Sequence, residues 1–260
     1  PVMTYRKPAL PSSGEFQPIE SDEFDSPSLG LQWQWAAVPS PYWYHNDAAQ
    51  GCLKLYSVQQ SSGWRNLWDT PNLLMQKFPA DDFTVTARLS FTPNPQLKQK
   101  GENCGLVVMG EDYASLRLAD TPDGMKLQMV ECLDAPKGTQ ERVVFEQLLQ
   151  SVPLPEPFSN VYMSTTVPPV APLPYEECVI YVRAQVKSTS REGDFPLSQC
   201  SFSYSLDGRS WKTVKDEGKK YMLEVRPGRW IGAKVGLYCN RHHSKNDSGW
   251  MEADWFRISD

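Results

Sequence analysis

The sequence predicts an all-β protein, a sandwich or jelly roll built from two antiparallel sheets. Many short segments alternate apolar and polar residues with a period of two. Turn sequences that contain Gly or Pro, such as PDG (122–124) and LDG (206–208), separate these segments as hairpins require. No internal repeat of fixed length indicates a propeller or a solenoid. Regularly spaced short strands of this kind are typical of a sandwich.

The alternating segments extend from residue 31 almost to the C-terminus. In chain order they are LQWQWAA (31–37), GCLKLYSV (51–58), FTVTARLSF (83–91), CGLVVMG (104–110), SLRLAD (115–120), KLQMVEC (126–132), CVIYVRAQV (178–186), SFSYSLDG (201–208), KVGLYC (234–239) and ADWFRIS (253–259). ERVVFEQLLQ (141–150) has a mixed period and predicts either a short helix or an edge strand. The Pro-rich stretch 152–174 predicts a long surface excursion rather than a core strand.

Composition excludes several classes of partner. The formal net charge of −5 and the pI of about 5.4 argue against a nucleic-acid partner, which needs clustered Lys and Arg. No apolar stretch approaches the roughly 20 residues that span a bilayer, so we expect no membrane partner. The 6 Cys are widely and irregularly spaced without a CxxC pair. They predict mostly buried free thiols, with one or two disulfides as the alternative.

Few residues indicate catalytic or metal chemistry. The acidic residues lie mostly in turns, and no nucleophile elbow or phosphate-binding Gly-rich loop is present. One acidic group has a further interpretation, because SDEFDS near the start and EADWF at the end would meet if the terminal strands pair. Asp22 or Asp25 together with Asp254 would then offer oxygen ligands to a structural calcium ion. The alternative is that these are strand-end acids that face water.

Aromatic residues in loops are the other candidates for function. Trp43, Trp64 and Trp68 lie in segments flanked by Gly, Ser or Pro rather than in alternating strands. They could stack on a sugar, pack on a neighbouring domain, or fold back over the core. Gln32 and Gln34 alternate with two Trp residues, so we expect the Trp side chains in the core and the two amides on an exposed or concave face.

Several segments resemble a known family. FDSPSLGLQWQW (24–35), PNLLMQKFPADDFTVTARLSF (71–91), GLVVMGEDYASLRL (105–118), GRWIGAKVGLYC (228–239) and NDSGWMEADWFRI (246–258) resemble the C-terminal concanavalin A-like domain of glycoside hydrolase family 43 enzymes. That family includes β-xylosidases and α-L-arabinofuranosidases. PVMTYRKP (1–8) resembles the segment that leaves the family's five-bladed propeller. The resemblance implies a concanavalin A-like jelly-roll sandwich over residues 21–260, with residues 1–20 as the tail of an upstream catalytic domain plus a linker.

The resemblance also implies a function. The family's catalytic Asp, Asp and Glu lie on the propeller, and none of those positions is present here, so we expect no catalytic residues, no required cofactor and no enzyme activity for this chain alone. The implied role is an accessory domain that packs on the upstream propeller and helps to shape its substrate pocket, in a bacterial protein that is secreted, periplasmic or on the cell surface. One alternative is an independent carbohydrate-binding module for plant-wall xylan or arabinan. Another is a jelly-roll hydrolase or lyase in its own right, which fold analogy alone cannot carry.

Overall fold

The computed structural model describes residues 20–94, 100–151, 178–189, 197–228, 232–242 and 248–259. Within these ranges the chain forms strands and two single-turn 3₁₀ helices, Leu67–Asp69 and Ala135–Lys137, and no α-helix. No helix in these ranges has the length and apolarity needed to cross a membrane. Most of the predicted tail (residues 1–20) and all of the Pro-rich stretch 152–174 lie outside the described residues.

Sheet 1 has eight strands. Their spatial order is Gln34–Trp35 (β1), Leu74–Lys77 (β5), Lys234–Arg241 (β17), Glu102–Met109 (β7), Tyr113–Thr121 (β8), Gly124–Cys132 (β9) and Arg142–Ser151 (β10), and Val58–Gln59 (β4) pairs with β17. Every pairing is antiparallel except that of β4 with β17. The segment 141–150, predicted as a short helix or an edge strand, is the edge strand β10.

Sheet 2 also has eight strands and is entirely antiparallel. Its order is Lys212–Thr213 (β13), Leu197–Ser205 (β12), Cys178–Thr189 (β11), Phe83–Thr92 (β6), Trp250–Ser259 (β18), Cys52–Tyr56 (β3) and Tyr44–Asp47 (β2), and Leu223–Val225 (β16) pairs with β12. A separate hairpin joins Lys215–Asp216 (β14) to Lys219–Lys220 (β15). The predicted sandwich of two antiparallel sheets is therefore confirmed.

The main core lies between the two sheets, where their inward side chains meet. Strand β6 shows why the alternation in sequence produces this arrangement. Val85, Ala87 and Leu89 are at most 1% exposed in the core, while Thr84 and Thr86 between them are half-buried on the other face. Hydrogen bonds to β11 on one side and β18 on the other make β6 a central strand. Burial of one face and pairing of both edges leave this segment no other stable arrangement.

The six cysteines are all buried, and all are free in this structure. Burial of the thiols was predicted and is confirmed. Cys104 of β7 and Cys239 of β17 lie directly opposite one another across the pairing of these strands and pack in the main core. They contribute to the fold as small apolar side chains.

Candidate functional site

The outer face of sheet 1, which points away from the main core, carries a second buried cluster. Its members alternate in sequence with the inward residues of β5, β7, β8, β9 and β17, or belong to the loops that cover this face. They are Leu67, Leu73, Met75, Val107, Met109, Tyr113, Cys132, Ala135 and Tyr238. We name the segment of residues 61–72, which connects β4 to β5 and lies on this cluster, the Trp loop. Trp64 and Trp68 of the Trp loop are half-buried against the cluster.

Asn66 anchors the Trp loop to the outer face. It is fully buried, and its side-chain oxygen accepts a hydrogen bond from the backbone N–H of Trp68 at 2.9 Å. Its amide nitrogen donates to the carbonyl oxygens of Ala135 at 2.9 Å and Thr139 at 2.8 Å. A cap of this kind satisfies the first turn of the 3₁₀ helix and joins it to the segment that follows β9. The Trp loop is therefore held by specific bonds as well as by apolar contact.

Tyr113 adds a second anchor through its hydroxyl. The side chain is fully buried, and the hydroxyl accepts from the backbone N–H of Leu67 at 2.9 Å and donates to Glu141 Oε1 at 2.7 Å. The other oxygen of Glu141 accepts from Arg117 Nη1 at 2.8 Å, and Arg117 Nε donates to Gln128 at 3.1 Å. This chain of bonds connects the Trp loop to β8, β9 and the start of β10.

The charges in this network stabilise one protonation state. Burial and the negative charge of Glu141 both raise the pKa of Tyr113, so its phenol stays protonated at neutral pH. Burial opposes the charge of Arg117, but Glu141 outweighs it and raises the pKa of the guanidinium above its usual range. Burial also raises the pKa of Tyr238, whose hydroxyl lies 2.9 Å from Ser115 Oγ. Tyr113, Arg117 and Tyr238 therefore keep their protons at neutral pH.

Trp64 lines a cleft of about 430 Å³ together with Arg65, Gln140 and Glu141. Its indole N–H donates to Thr70 Oγ1 at 2.8 Å, which fixes the orientation of the ring. One side of the ring is occupied by His242, whose centroid lies 4.5 Å away. The cleft is therefore bordered by one fixed aromatic ring and by polar side chains.

Trp68 borders a different and more apolar cleft, of about 300 Å³. Ala36, Leu73, Met75 and Met109 line it, with Gly110, Gly232 and Lys234 at its edge. Burial, helped by the charge of Lys77, lowers the pKa of Lys234. The structure thus places Trp64 and Trp68 on one loop but in two separate clefts.

Trp43 lies elsewhere, immediately before β2 at the edge of sheet 2. It is half-buried, and its ring centroid lies 5.7 Å from that of Trp35. A third cleft here is lined by Trp43, Tyr42 and Tyr56 and reaches Arg241 at the end of β17. The three predicted Trp residues therefore do not form one site. The Trp43 and Trp64 sites are nevertheless linked in sequence, because Arg241 borders the first and His242 contacts Trp64 at the second.

The two glutamines differ in what they offer to a ligand. Trp33 is 8% exposed in the core, and Gln34 of β1 is exposed, as expected. Gln32 is half-buried, and its amide donates to Asp22 Oδ2 at 3.3 Å. The side chain of Gln32 also lies over Gly30, where a Cβ atom would be 2.1 Å from Gln32 Oε1. Gln32 is thus engaged within its own turn, whereas Gln34 is open to solvent.

The predicted pairing of the chain ends is found, but the calcium ligands are otherwise engaged. Asp22 exchanges backbone hydrogen bonds with Phe256 at 2.7 and 2.8 Å. The Asp22 carboxylate accepts from the indole N–H of Trp33 at 2.7 Å and the backbone N–H of Phe24 at 2.9 Å. Asp254 instead forms an ion pair with Arg88 on the outer face of sheet 2.

Asp25 is exposed and does not join these two carboxylates in a cluster. Within the described ranges no three His, Cys, Asp or Glu side chains are grouped so as to hold a metal ion. The structure thus does not assemble the predicted ligands Asp22, Asp25 and Asp254, because two of them are already bonded to donors of the protein.

Sequence reasoning did not identify the network of Tyr113, Arg117 and Glu141. Tyr113 and Arg117 are alternate outward residues of β8, but Glu141 precedes β10 and reaches Arg117 across the intervening strand β9. An outward-facing Arg in the strand SLRLAD was the only trace of this network in the sequence. A charged residue in a strand most often faces water, so that trace indicated no partner.

Comparison with known families now identifies the domain. The family model described as the beta xylosidase C-terminal concanavalin A-like domain matches residues 21–259. The chain belongs to this family. The domain is the C-terminal part of family 43 glycoside hydrolases, and the fold described above is the concanavalin A-like sandwich that was predicted.

Two curated relatives are enzymes that are longer than this chain. A β-xylosidase from Formosa agariphila is 23% identical over 273 residues, which cover 98% of this chain and 37% of that protein. A non-reducing end α-L-arabinofuranosidase from Bacteroides ovatus is 27% identical over 128 residues, which cover 49% of this chain and 23% of that protein. This chain thus spans little more than a third of the length of the Formosa agariphila protein.

Solved structures share the fold. The family 43 protein from Bacillus licheniformis superposes with a TM-score of 0.62 at 18% identity and covers 97% of this chain and 41% of that one. The xylan β-1,4-xylosidase from Bacillus halodurans gives a TM-score of 0.63 at 18% identity over the same shares of the two chains. In both cases the sandwich corresponds to about two fifths of the larger structure.

Proposed function

We propose that this chain is a non-catalytic accessory domain that packs on the propeller catalytic domain of a family 43 glycoside hydrolase. The observation that carries this proposal is the apolar cleft at Trp68 on the outer face of sheet 1. Half-buried Trp68 borders this cleft, and the buried side chains of Met75 and Met109 also line it. Val38, two residues along the chain from Ala36 of this cleft, is 89% exposed. Apolar side chains that line a cleft or stand exposed at the surface favour an interaction site.

The lengths of the relatives indicate what covers this surface. In the Bacillus licheniformis structure, the region that aligns with this chain is 41% of a polypeptide that also contains other parts. An accessory domain of such an enzyme has the remainder of the enzyme as its nearest partner. The family resemblance assigns the propeller to that remainder, so we take the propeller as the occupant of the Trp68 surface.

The bonding around Glu141 supports a binding rather than a catalytic role. Glycoside hydrolysis needs two carboxyl groups that flank the scissile bond, one to protonate the leaving group and one to act as base or nucleophile. Both oxygens of Glu141 accept bonds from groups that hold their protons, Tyr113 and Arg117. Trp64 and Gln140 lie beside this carboxylate with a fixed ring and an amide, and we assign to them the contact with the rim of the propeller's substrate pocket. The substrates of the assembled enzyme, on this proposal, are β-xylosides or α-L-arabinofuranosides.

Docking of the separately produced propeller tests the proposal. We expect an equimolar complex in sedimentation velocity, and a loss of affinity of about tenfold or more for Trp68→Ala, since buried Trp residues dominate interfaces. Trp255→Ala is the matched control. Trp255 is also half-buried, but it lies on the outer face of sheet 2 with Arg257 stacked 4.3 Å from its ring.

Thermal unfolding of both variants establishes that each domain is folded before affinities are compared. Equal affinities of the Trp68 and Trp255 variants for the propeller would overturn the assignment of the docking face. The absence of any complex with the wild-type chain would overturn the accessory role.

A further inference from the structure

The end of the sandwich beside β2 and β4 carries a cleft that packing on a propeller does not explain. Two adjoining hollows, of about 290 and 400 Å³, share Tyr42, Tyr56 and Ser248 in their walls. Tyr42 is 83% exposed, while Trp43 and Tyr56 are half-buried. Three aromatic side chains therefore surround one concave surface at the edge of sheet 2. Flat aromatic faces of this kind suit the C–H faces of a sugar ring.

Ser57 at the base of the cleft has an unused hydroxyl. The residue is fully buried, its backbone N–H donates to the carbonyl of Gly249 at 2.9 Å, and its carbonyl oxygen accepts from Arg241 Nη1. Its Oγ, however, has no hydrogen-bond partner, although the residue lines the cleft. Buried hydroxyl groups are almost always bonded, so this one indicates a partner that enters from the cleft.

Arg241 presents a second unused group at the same place. It is half-buried, and its Nε–H has no hydrogen-bond partner. Within the described ranges its hydrogen bond goes to the carbonyl oxygen of Ser57 rather than to a carboxylate. The charge of the buried Glu102 acts on Arg241, and Glu102 Oε1 accepts from the backbone N–H of Gly249 at 2.8 Å. A guanidinium with a free N–H edge is the preferred partner of a planar carboxylate.

We infer that this cleft binds an acidic sugar, a uronic acid residue, with its carboxylate on Arg241 and Ser57 and its ring against Tyr42 and Tyr56. A neutral sugar would satisfy the aromatic faces but would leave Arg241 without a carboxylate in direct contact. A small inorganic anion would satisfy Arg241 but would not use the aromatic wall. Tyr42, Tyr56, Ser57 and Arg241 all belong to this chain, so binding here does not require a propeller.

Calorimetric titration of the chain with three oligosaccharides tests this inference. The first is a xylo-oligosaccharide that carries a glucuronic acid branch, the second is the same oligosaccharide with its carboxyl reduced to the alcohol, and the third is the unbranched xylo-oligosaccharide. We expect the acidic ligand to bind about tenfold or more tightly than the other two, because one charge-assisted hydrogen bond is worth that factor. This preference should weaken as ionic strength rises, since the pair is only partly buried.

Substitutions locate the binding. Tyr42→Ala removes an exposed ring without disturbing the fold, and Ser57→Ala removes an unbonded hydroxyl; we expect each to weaken binding of the acidic ligand by about threefold or more. Arg241→Gln should abolish the preference for the acid, while Trp255→Ala, on the outer face of sheet 2 and outside the cleft, should leave affinity unchanged. Equal affinity for the acidic and reduced ligands, no binding of the acid at millimolar concentration, or unchanged affinity in Tyr42→Ala would each overturn the inference.

Discussion

Tyr113→Phe tests whether the Trp loop is held on the outer face of sheet 1 by the hydroxyl of Tyr113. The substitution keeps the buried ring but removes its bond to Glu141 and leaves the backbone N–H of Leu67 without an acceptor. A hydrogen bond to a charged group contributes about 1.5–3 kcal/mol, and an orphaned buried donor costs about 1–3 kcal/mol. Since Glu141 keeps its bond to Arg117, we expect a loss near the sum of the two lower values, about 2.5 kcal/mol in the free energy of unfolding.

Urea unfolding followed by tryptophan fluorescence and circular dichroism measures this loss, provided that the m-value stays constant. Hydrogen exchange of the Leu67 amide should accelerate more than that of amides in β6. Tyr42→Phe is the matched control, because it removes the hydroxyl from a side chain that is 83% exposed, and we expect a change within about 0.5 kcal/mol. A loss below about 0.5 kcal/mol for Tyr113→Phe would refute the anchoring role.

Three further predictions concern stability. Ser57→Ala should leave the free energy of unfolding unchanged within about 0.5 kcal/mol because its hydroxyl is unbonded, whereas Ser115→Ala, which loses a buried hydrogen bond, should cost about 1 kcal/mol in chemical denaturation. Burial raises the pKa of Cys178 to about 11. The unfolded thiol loses its proton near pH 8.5, before the folded one does. Under reducing conditions the free energy of unfolding should therefore be constant below about pH 8.5 and fall by at most about 1.4 kcal/mol per pH unit from there to about pH 11. The fall should be shallower in Cys178→Ala. Gly236→Ala would place a Cβ 2.1 Å from the carbonyl oxygen of Leu74, so we expect the free energy of unfolding to fall by about 2 kcal/mol and the melting temperature to fall with it. An unchanged melting temperature would contradict this, because it would mean that β5 moves away at no cost.

The strands were predictable where one face of a segment is buried and both of its edges are paired. The alternation in β6 and the inward residues of β7 determine their faces without knowledge of their partners. The segment 31–37 alternates equally well but forms only the two-residue strand β1. Before this strand the backbone N–H of Trp33 bonds to the carbonyl of Gly30 in a local turn. After it, the N–H groups of Ala36 and Ala37 bond to the carbonyls of Leu73 and Pro71, which precede β5, so the regular ladder is limited to two residues.

The candidate sites were predictable only in part. Trp43, Trp64 and Trp68 were identified because aromatic residues in loops are conspicuous, and each lines a cleft. Their polar partners were not identified, because Glu141 meets Arg117 through the register of neighbouring strands, which periodicity does not contain.

The structure does not group the predicted calcium ligands, for a similar reason. The pairing of the chain ends was correctly predicted, but hydrogen bonds from Trp33 and an ion pair with Arg88 occupy Asp22 and Asp254. A sequence shows that carboxylates are present, but not which hydrogen-bond donors of the same protein are bonded to them.

Hydrolysis by the chain alone tests the central claim most directly. The purified chain is assayed at high concentration against nitrophenyl β-xyloside and nitrophenyl α-L-arabinofuranoside, and then together with the separately produced propeller. The accessory role predicts no turnover by the chain and, on adding the propeller, activity above that of the propeller alone. Turnover that co-purifies with the isolated chain and is lost in Glu141→Gln would contradict the account, because it would place the catalytic carboxylate in this domain.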